Sequence, residues 1–194
     1  MTRPAVAVRE ATVDDVPALV EMWAELRDMG GRMERVIPGP DAGAMRHRLA
    51  DVAADPQSCA LVAVVDGEVA GMVLLTATDY APLFEQHAVH AHYLHVKDGF
   101  RRRGVGKALL GAAVTYADEV GAEHIITSVL PQMRETQRFY ARLGFGPVVV
   151  RRSAAVSVLR RRLAPSGTPS VTDNLLARRR SLRRVRAAVA RVSD

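Results

Sequence analysis

Two short stretches carry most of the side chains with chemistry to offer, 101-RRRGVGKALL-110 and 87-HAVHAHYLHV-96. In the first, Arg101, Arg102 and Arg103 run into Gly104-Val105-Gly106 and then Lys107, ahead of an apolar run. Backbone amides at a helix N-terminus point at an anion, and the helix dipole adds to them. Glycine lets the backbone approach a pyrophosphate closely, and arginine adds fork-shaped, charge-assisted contacts to phosphate. The stretch has the makings of a phosphate cradle.

Two familiar cradles fail on specific residues. A P-loop needs G-x-x-x-x-G-K-[ST]. Gly99 and Gly104 have that spacing, but Val105 stands where Lys belongs; Gly106-Lys107 has the Lys, but Ala108 offers no hydroxyl for Mg²⁺. The dinucleotide fingerprint G-x-G-x-x-G fits Gly104 and Gly106, but Leu109 holds the third position. A plain tight turn leaves the arginines unexplained. What survives is R-x-x-G-x-G, formed by Arg101, Gly104 and Gly106.

The second stretch gathers four of the six histidines within nine residues. In a regular strand, His90, His92 and Leu94 face one side and His95 the other. His90 and His92 are candidates for a base or proton wire, and equally for side chains that line or solvate a cleft. Two histidines at i,i+2 can chelate, but only Glu85 is near enough to add a ligand, so no metal is expected.

These groups need elements to hold them. A strand over about Ala5–Arg9 leads into a helix from Val13 to Met29, with Asp14 and Asp15 favoured in its first turn by the dipole. A second helix, Ala42–Ala54, takes Asp41 as N-cap. Apolar runs at 59–65 and 69–76 flank Asp66-Gly67, a hairpin signal. A strand at Ala88–Val96, the glycine loop, a helix to Val120, a strand at His124–Val129 and a helix at Met133–Leu143 follow, then strands near Phe145–Val150 and Ala154–Leu159. The order β-α-α-β-β-β-α-β-α-β-β predicts an α/β domain, a mixed sheet with helices on both faces.

The domain is expected to span 1–162, and 163–194 to be a Pro/Ser linker and an Arg-rich tail. The tail holds seven arginines and two aspartates, so most of the net charge of +6 lies there. Its basic, amphipathic end, 175–194, leaves solvated, docked and nucleic-acid- or membrane-contacting readings open; no aromatics interleave the arginines to suggest base stacking. No apolar run approaches a membrane span and the N-terminus has no signal-like h-region. The single cysteine, Cys59, excludes an internal disulfide and fits a reducing cytoplasm; beside LVAVV it is expected to be a buried, inert thiol.

With its R-x-x-G-x-G motif after a strand, 139-FYARLGF-145 about 40 residues further on, and the opening 8-VREATVDDVPAL-19, the chain resembles the GCN5-related N-acetyltransferase (GNAT) superfamily over roughly 5–160. The resemblance implies a splayed central sheet and an acetyl-coenzyme A-dependent transfer to a primary amine in a ternary complex, without an acyl-enzyme. It implies that the backbone of Leu94, His95 and Val96 meets the pantetheine arm. Arg101, Arg102, Arg103, Gly104, Val105, Gly106 and Lys107 would surround the pyrophosphate. Tyr140 matches the tyrosine that protonates the departing thiolate in many members. The H-x-H of His90 and His92 is similar to that of arylalkylamine N-acetyltransferases, where the pair helps remove the amine proton. Met133 departs from the pattern, standing where many members carry a cofactor-contacting Asn.

The chemistry is consistent with these roles. An alkylamine with a pKa of about 10.4 must lose its proton, at about 4–5 kcal/mol at pH 7, before it attacks. A phenol can then meet the thiolate. A coenzyme A-binding module without turnover is the other reading. The acceptor, a small-molecule or peptide amine, is not legible. The resemblance implies an acceptor cleft built from the loops at about 30–42, 79–90 and 147–153, where Glu34, Asp41, Asp79 and Glu85 would meet a cation and Arg32, Arg35, Arg151 and Arg152 an anion. Oligomeric state stays open, dimers being common among relatives.

Overall fold

The computed structural model describes residues 5–29, 39–81, 84–130, 132–148 and 154–163, with side chains placed except at 79–81 and 84–86. The chain divides into two units, Met1–Gly144 and Phe145–Asp194. The first carries a five-stranded sheet in the order β1-β2-β3-β4-β5, with β1 Val6–Glu10, β2 Ser58–Val65, β3 Glu68–Ala81, β4 Phe84–Val96 and β5 His124–Thr127. All neighbours are antiparallel except β4 and β5, which are parallel. The fold is therefore mixed α/β, as expected.

The β2–β3 hairpin turns through Asp66 (φ 52°) and Gly67 (φ 84°). Both central residues in the left-handed region make the tight turn whose twist matches the strands. Before α1 (Val16–Met29), a short 3₁₀ turn at Val13–Asp15 is fixed by Asp15, which accepts from the Thr12 amide at 2.7 Å. Arg9 of β1 donates to the same carboxylate at 2.7 and 2.8 Å, tying strand to helix. Asp41 caps α2 (Ala42–Ala54) by accepting from the Ala44 amide at 2.7 Å.

Two apolar layers hold the sheet. α3 (Val105–Glu119) lays Val105, Leu109, Ala113 and Ala117 against Leu61, Ala63, Val73, Leu75, Val89 and Ala91. On the opposite face, Leu19 and Met22 of α1 pack on Val62 and Met72, with Met45 and Leu49 of α2 beside them. Each fully buried Val, Leu or Met contributes about 1.5–3 kcal/mol. Gly71 lets α3 sit down. A Cβ there would lie 2.7 Å from the His95 carbonyl and 2.9 Å from Val105 Cγ1.

The last elements correct the sequence reading. Ala154–Leu159, expected as a strand, lies largely in a helix, α5 (Val156–Arg162). Its N-terminal part is a mix of Ala and Val that suits either state, and the run 160–162 of arginines favours a helix C-terminus. Residues 145–148 have no regular structure, and 149–150 of that expected strand lie outside the described residues. β5 stops at Thr127 rather than Val129, and α4 spans Arg134–Ala141. The linker from 164 and the basic tail also lie outside the described residues.

Candidate active site

A fork in the sheet creates the site. β5 pairs with β4 only from Ala88↔His124 to Ala91↔Thr127, while β4 runs on to Val96. Beyond Ala91, no strand among the described residues lies beside the edge of β4 that faced β5. A cleft of about 880 Å³ occupies this gap. Leu94, His95 and Val96 line one wall, Arg101 and Arg102 stand at the loop, and α4 supplies Arg134, Glu135, Arg138 and Phe139, flanked by Met133 and Arg142. Backbone groups on an unpaired edge are ready to hydrogen-bond an extended ligand.

β4 does not alternate regularly. Leu74 pairs with His92 but Met72 pairs with His95, so β4 holds one residue more than β3 across this step. Tyr93 absorbs it at φ 55°. Such a bulge inverts the alternation that follows it. His95 consequently shares the α1 face with His90 and His92, whereas Leu94 packs with Val96 on the α3 side, the reverse of the assignment regular alternation gives. His95 is 4% exposed, and its Nε2 lies 2.6 Å from Glu25 Oε2 of α1. No feature of the sequence near His95 announces a partner 70 positions away.

The glycine loop opens α3. Gly104 is the N-cap at φ 95°, and Arg102, at φ 62°, also lies in the left-handed region. For arginine that conformation costs about 1–2 kcal/mol. The first intrahelical bond runs from the Ala108 amide to the Gly104 carbonyl at 3.0 Å. The amides of Val105, Gly106 and Lys107 precede it and have no acceptor in the helix. Gly104 offers no side chain to cap them. This is an anion-binding arrangement. Gly106 serves packing too, since a Cβ there would meet Phe139 Cζ at 3.2 Å. Val105 is 1% exposed, so only its backbone can face a ligand.

The loop arginines are engaged. Arg101 pairs with Asp98 at 2.7 Å, Arg102 with Glu135 at 3.7 Å, and Arg103 lies over the Phe100 ring at 5.3 Å. Lys107 is exposed.

Tyr140 is 5% exposed and sits at the crotch of the fork. The Thr127 hydroxyl stands 3.4 Å from its phenol oxygen and donates to the Ala91 carbonyl at 3.1 Å. Burial pushes the phenol above its ordinary value. His90 and His92 stack at 5.6 Å, and His92 Nε2 lies 3.0 Å from Thr76 Oγ1. The two histidines flank Ala91, the residue whose carbonyl Thr127 holds. Neither they nor Tyr140 lines the cleft as defined above. On the α1 side, Tyr93 meets Trp23 edge to face at 4.5 Å.

Cys59 is partly buried against the α3-side core, and burial pushes its thiol up to about 11. Among the described residues no three His, Cys, Asp or Glu side chains are grouped to hold a metal, and no helix is long and apolar enough to cross a membrane. Of the loop charges expected near an acceptor, Arg32, Glu34, Arg35, Arg151 and Arg152 lie outside the described residues, as do the side chains of Asp79 and Glu85. Sequence reasoning missed Thr127, Gly71 and the arginines of α4. The last had a legible signal, a four-residue repeat in 134-RETQRFYAR-142.

The chain belongs to the Acetyltransferase (GNAT) family, which matches residues 22–145. An uncharacterised N-acetyltransferase of Mycobacterium tuberculosis is 28% identical over 112 residues, 58% of this chain and 68% of that one. A transcriptional regulator from Bacillus halodurans superposes with a TM-score of 0.66 at 25% identity, over 78% of this chain and 99% of that one. An aminoglycoside N-acetyltransferase solved in complex with CoA gives a TM-score of 0.59 at 20% identity, over 78% and 97%.

Proposed function

We propose that this chain transfers an acetyl group from acetyl-coenzyme A directly to a primary amine, with both substrates bound together. The observation that carries the reading is the cleft between the unpaired end of β4 and α4, with uncapped helix amides at its loop. The solved aminoglycoside enzyme of the same fold holds CoA. In this reading the edge of Leu94, His95 and Val96 takes the pantetheine arm. The amides of Val105, Gly106 and Lys107, with Arg101, Arg102 and Arg103, surround the diphosphate, Gly104 giving the turn. A strand amide near Leu94 supports the oxyanion. His90 and His92 relay the amine proton to solvent, and Tyr140 supplies the proton to the departing thiolate.

The acceptor is a small-molecule or peptide amine. A single cysteine excludes an internal disulfide and fits a reducing compartment, and the cytoplasm is the proposed location. Residues 1–162 would form the transferase domain and 163–194 an appended basic tail, with dimerisation and a nucleic-acid contact by the tail as separate questions.

The experiment is an initial-velocity study of thiol release from acetyl-coenzyme A across an amine panel. Intersecting lines on varying both substrates support direct transfer. Parallel lines would contradict it. A binding module without turnover has one observation in its favour, the burial of Tyr140 away from the cleft lining. Release of thiol with any amine removes that reading.

A further inference from the structure

Five of the side chains lining the cleft are arginines, and they fall into two groups. Arg101 and Arg102 have carboxylate partners in Asp98 and Glu135. Among the described residues, Arg134, Arg138 and Arg142 have none. These three recur every fourth residue along α4 and its C-cap, so they form a row on one helix face. At 1.5 Å per residue the row is about 12 Å long.

Such a row is unfavourable by itself. Like charges four apart on a helix repel by about 0.2–0.5 kcal/mol per pair. Arg134, in the first turn, also opposes the helix dipole. The cost is relieved when an anion lies against the row. A diphosphate at the start of α3 would leave one phosphate of coenzyme A without a partner: the 3′-phosphate monoester on its ribose. That group carries about −1.5 to −2 charges at pH 7 and three acceptor oxygens, which match arginine's planar fork.

We propose that Arg138 and Arg142, with Arg134, form a second anion subsite that takes the ribose 3′-phosphate and selects coenzyme A over dephospho-coenzyme A. The proposal rests on the reading of the cleft as a coenzyme A site. It assigns donor specificity to α4, whereas the loop cradle takes the diphosphate that both molecules share.

The test is calorimetric titration of coenzyme A and dephospho-coenzyme A into the full-length wild type and into an Arg138→Gln/Arg142→Gln variant. Both side chains are exposed, and the change removes a repulsion, so the melting temperature should hold or rise. The wild type should prefer coenzyme A by about ten- to a hundred-fold, the worth of a charge-assisted hydrogen bond. The variant should lose that preference through weaker binding of coenzyme A alone. Equal affinity of the wild type for both ligands overturns the proposal. So does a variant that keeps the preference, or one that weakens both ligands equally. Failure of both ligands to bind the wild type would instead remove the coenzyme A reading of the cleft, and this proposal with it.

Discussion

The Thr127 hydroxyl stands 3.4 Å from the Tyr140 phenol oxygen at the point where β4 and β5 part. Threonine has one hydroxyl proton. It goes to the Ala91 carbonyl at 3.1 Å, which leaves the Thr127 oxygen to accept from Tyr140. A phenol is protonated at neutral pH, and burial pushes this one further above its ordinary value. Tyr140→Phe should lower kcat by about 10²–10⁴-fold, the span of one general acid, with little change in coenzyme A affinity. A Tyr140→Phe enzyme with wild-type kcat would remove the acid role. The comparison is best made in steady-state kinetics beside Thr127→Val, which keeps the phenol and loses the bridge.

Cys59 tests the absence of an acyl-enzyme. Its thiol, pushed up to about 11, is almost wholly protonated at pH 7, and only the thiolate is a nucleophile. Cys59→Ser should retain kcat within about two-fold, since the chemistry proposed does not touch it. Mass spectrometry after incubation with acetyl-coenzyme A alone should find no acetylated enzyme. A 42-Da adduct that chases onto the amine would mean a covalent route.

At Gly71 the start of α3 packs closely on the sheet. A methyl group there meets the His95 carbonyl at 2.7 Å, Val105 Cγ1 at 2.9 Å and Leu109 Cδ1 at 3.2 Å. Gly71→Ala should cost about 1–3 kcal/mol through overpacking. It should also weaken coenzyme A, because lifting the start of α3 moves the amides of the cradle. Chemical denaturation and titration together check this. Destabilisation with unchanged ligand affinity would separate the packing from the site.

The pH dependence of stability has two limbs. Asp15, 4% exposed, is held below its ordinary value first by the bond from Arg9 and also by the Thr12 amide. Its contribution is present above its unfolded pKa, near 3.8, and is lost as pH falls through the lower folded value. Cys59 and Tyr140 are raised by burial, so their contributions hold below their unfolded values. For Cys59 that contribution is lost as pH rises from 9.0 towards about 11. Thermal melts across pH 2–11 should show both limbs. Asp15→Asn should lower stability by about 1–3 kcal/mol at pH 7 and flatten the acid limb. An unchanged acid limb would mean that other carboxylates set it.

The sequence carried the order of elements through β5, because hydrophobic runs, Asp66-Gly67 and the helix caps are local signals. The uncapped helix start at Gly104 was equally legible, since glycine, arginine and the start of a helix sit in consecutive residues. The histidine strand was misread at one point. Period-2 alternation cannot reveal a bulge, and Tyr93 at φ 55° moved His95 to the α1 face. Its pairing with Glu25, the crowding at Gly71 and the bridge at Thr127 are long-range contacts that no local pattern encodes. The end of the domain failed for a different reason. Ala154–Leu159 has weak, mixed propensity, and the arginines after it settled the helix.

The most direct test of the central claim is calorimetric titration of acetyl-coenzyme A into the wild type and a Gly104→Glu variant. Gly104 sits at φ 95°, where a side chain strains the backbone, and a carboxylate would stand beside the diphosphate. Like-charge contact costs several kcal/mol. The account predicts one site per chain in the wild type and a loss of affinity of about 100-fold or more in the variant. Wild-type protein that gives no heat with acetyl-coenzyme A, or a Gly104→Glu variant that binds as tightly, would contradict it.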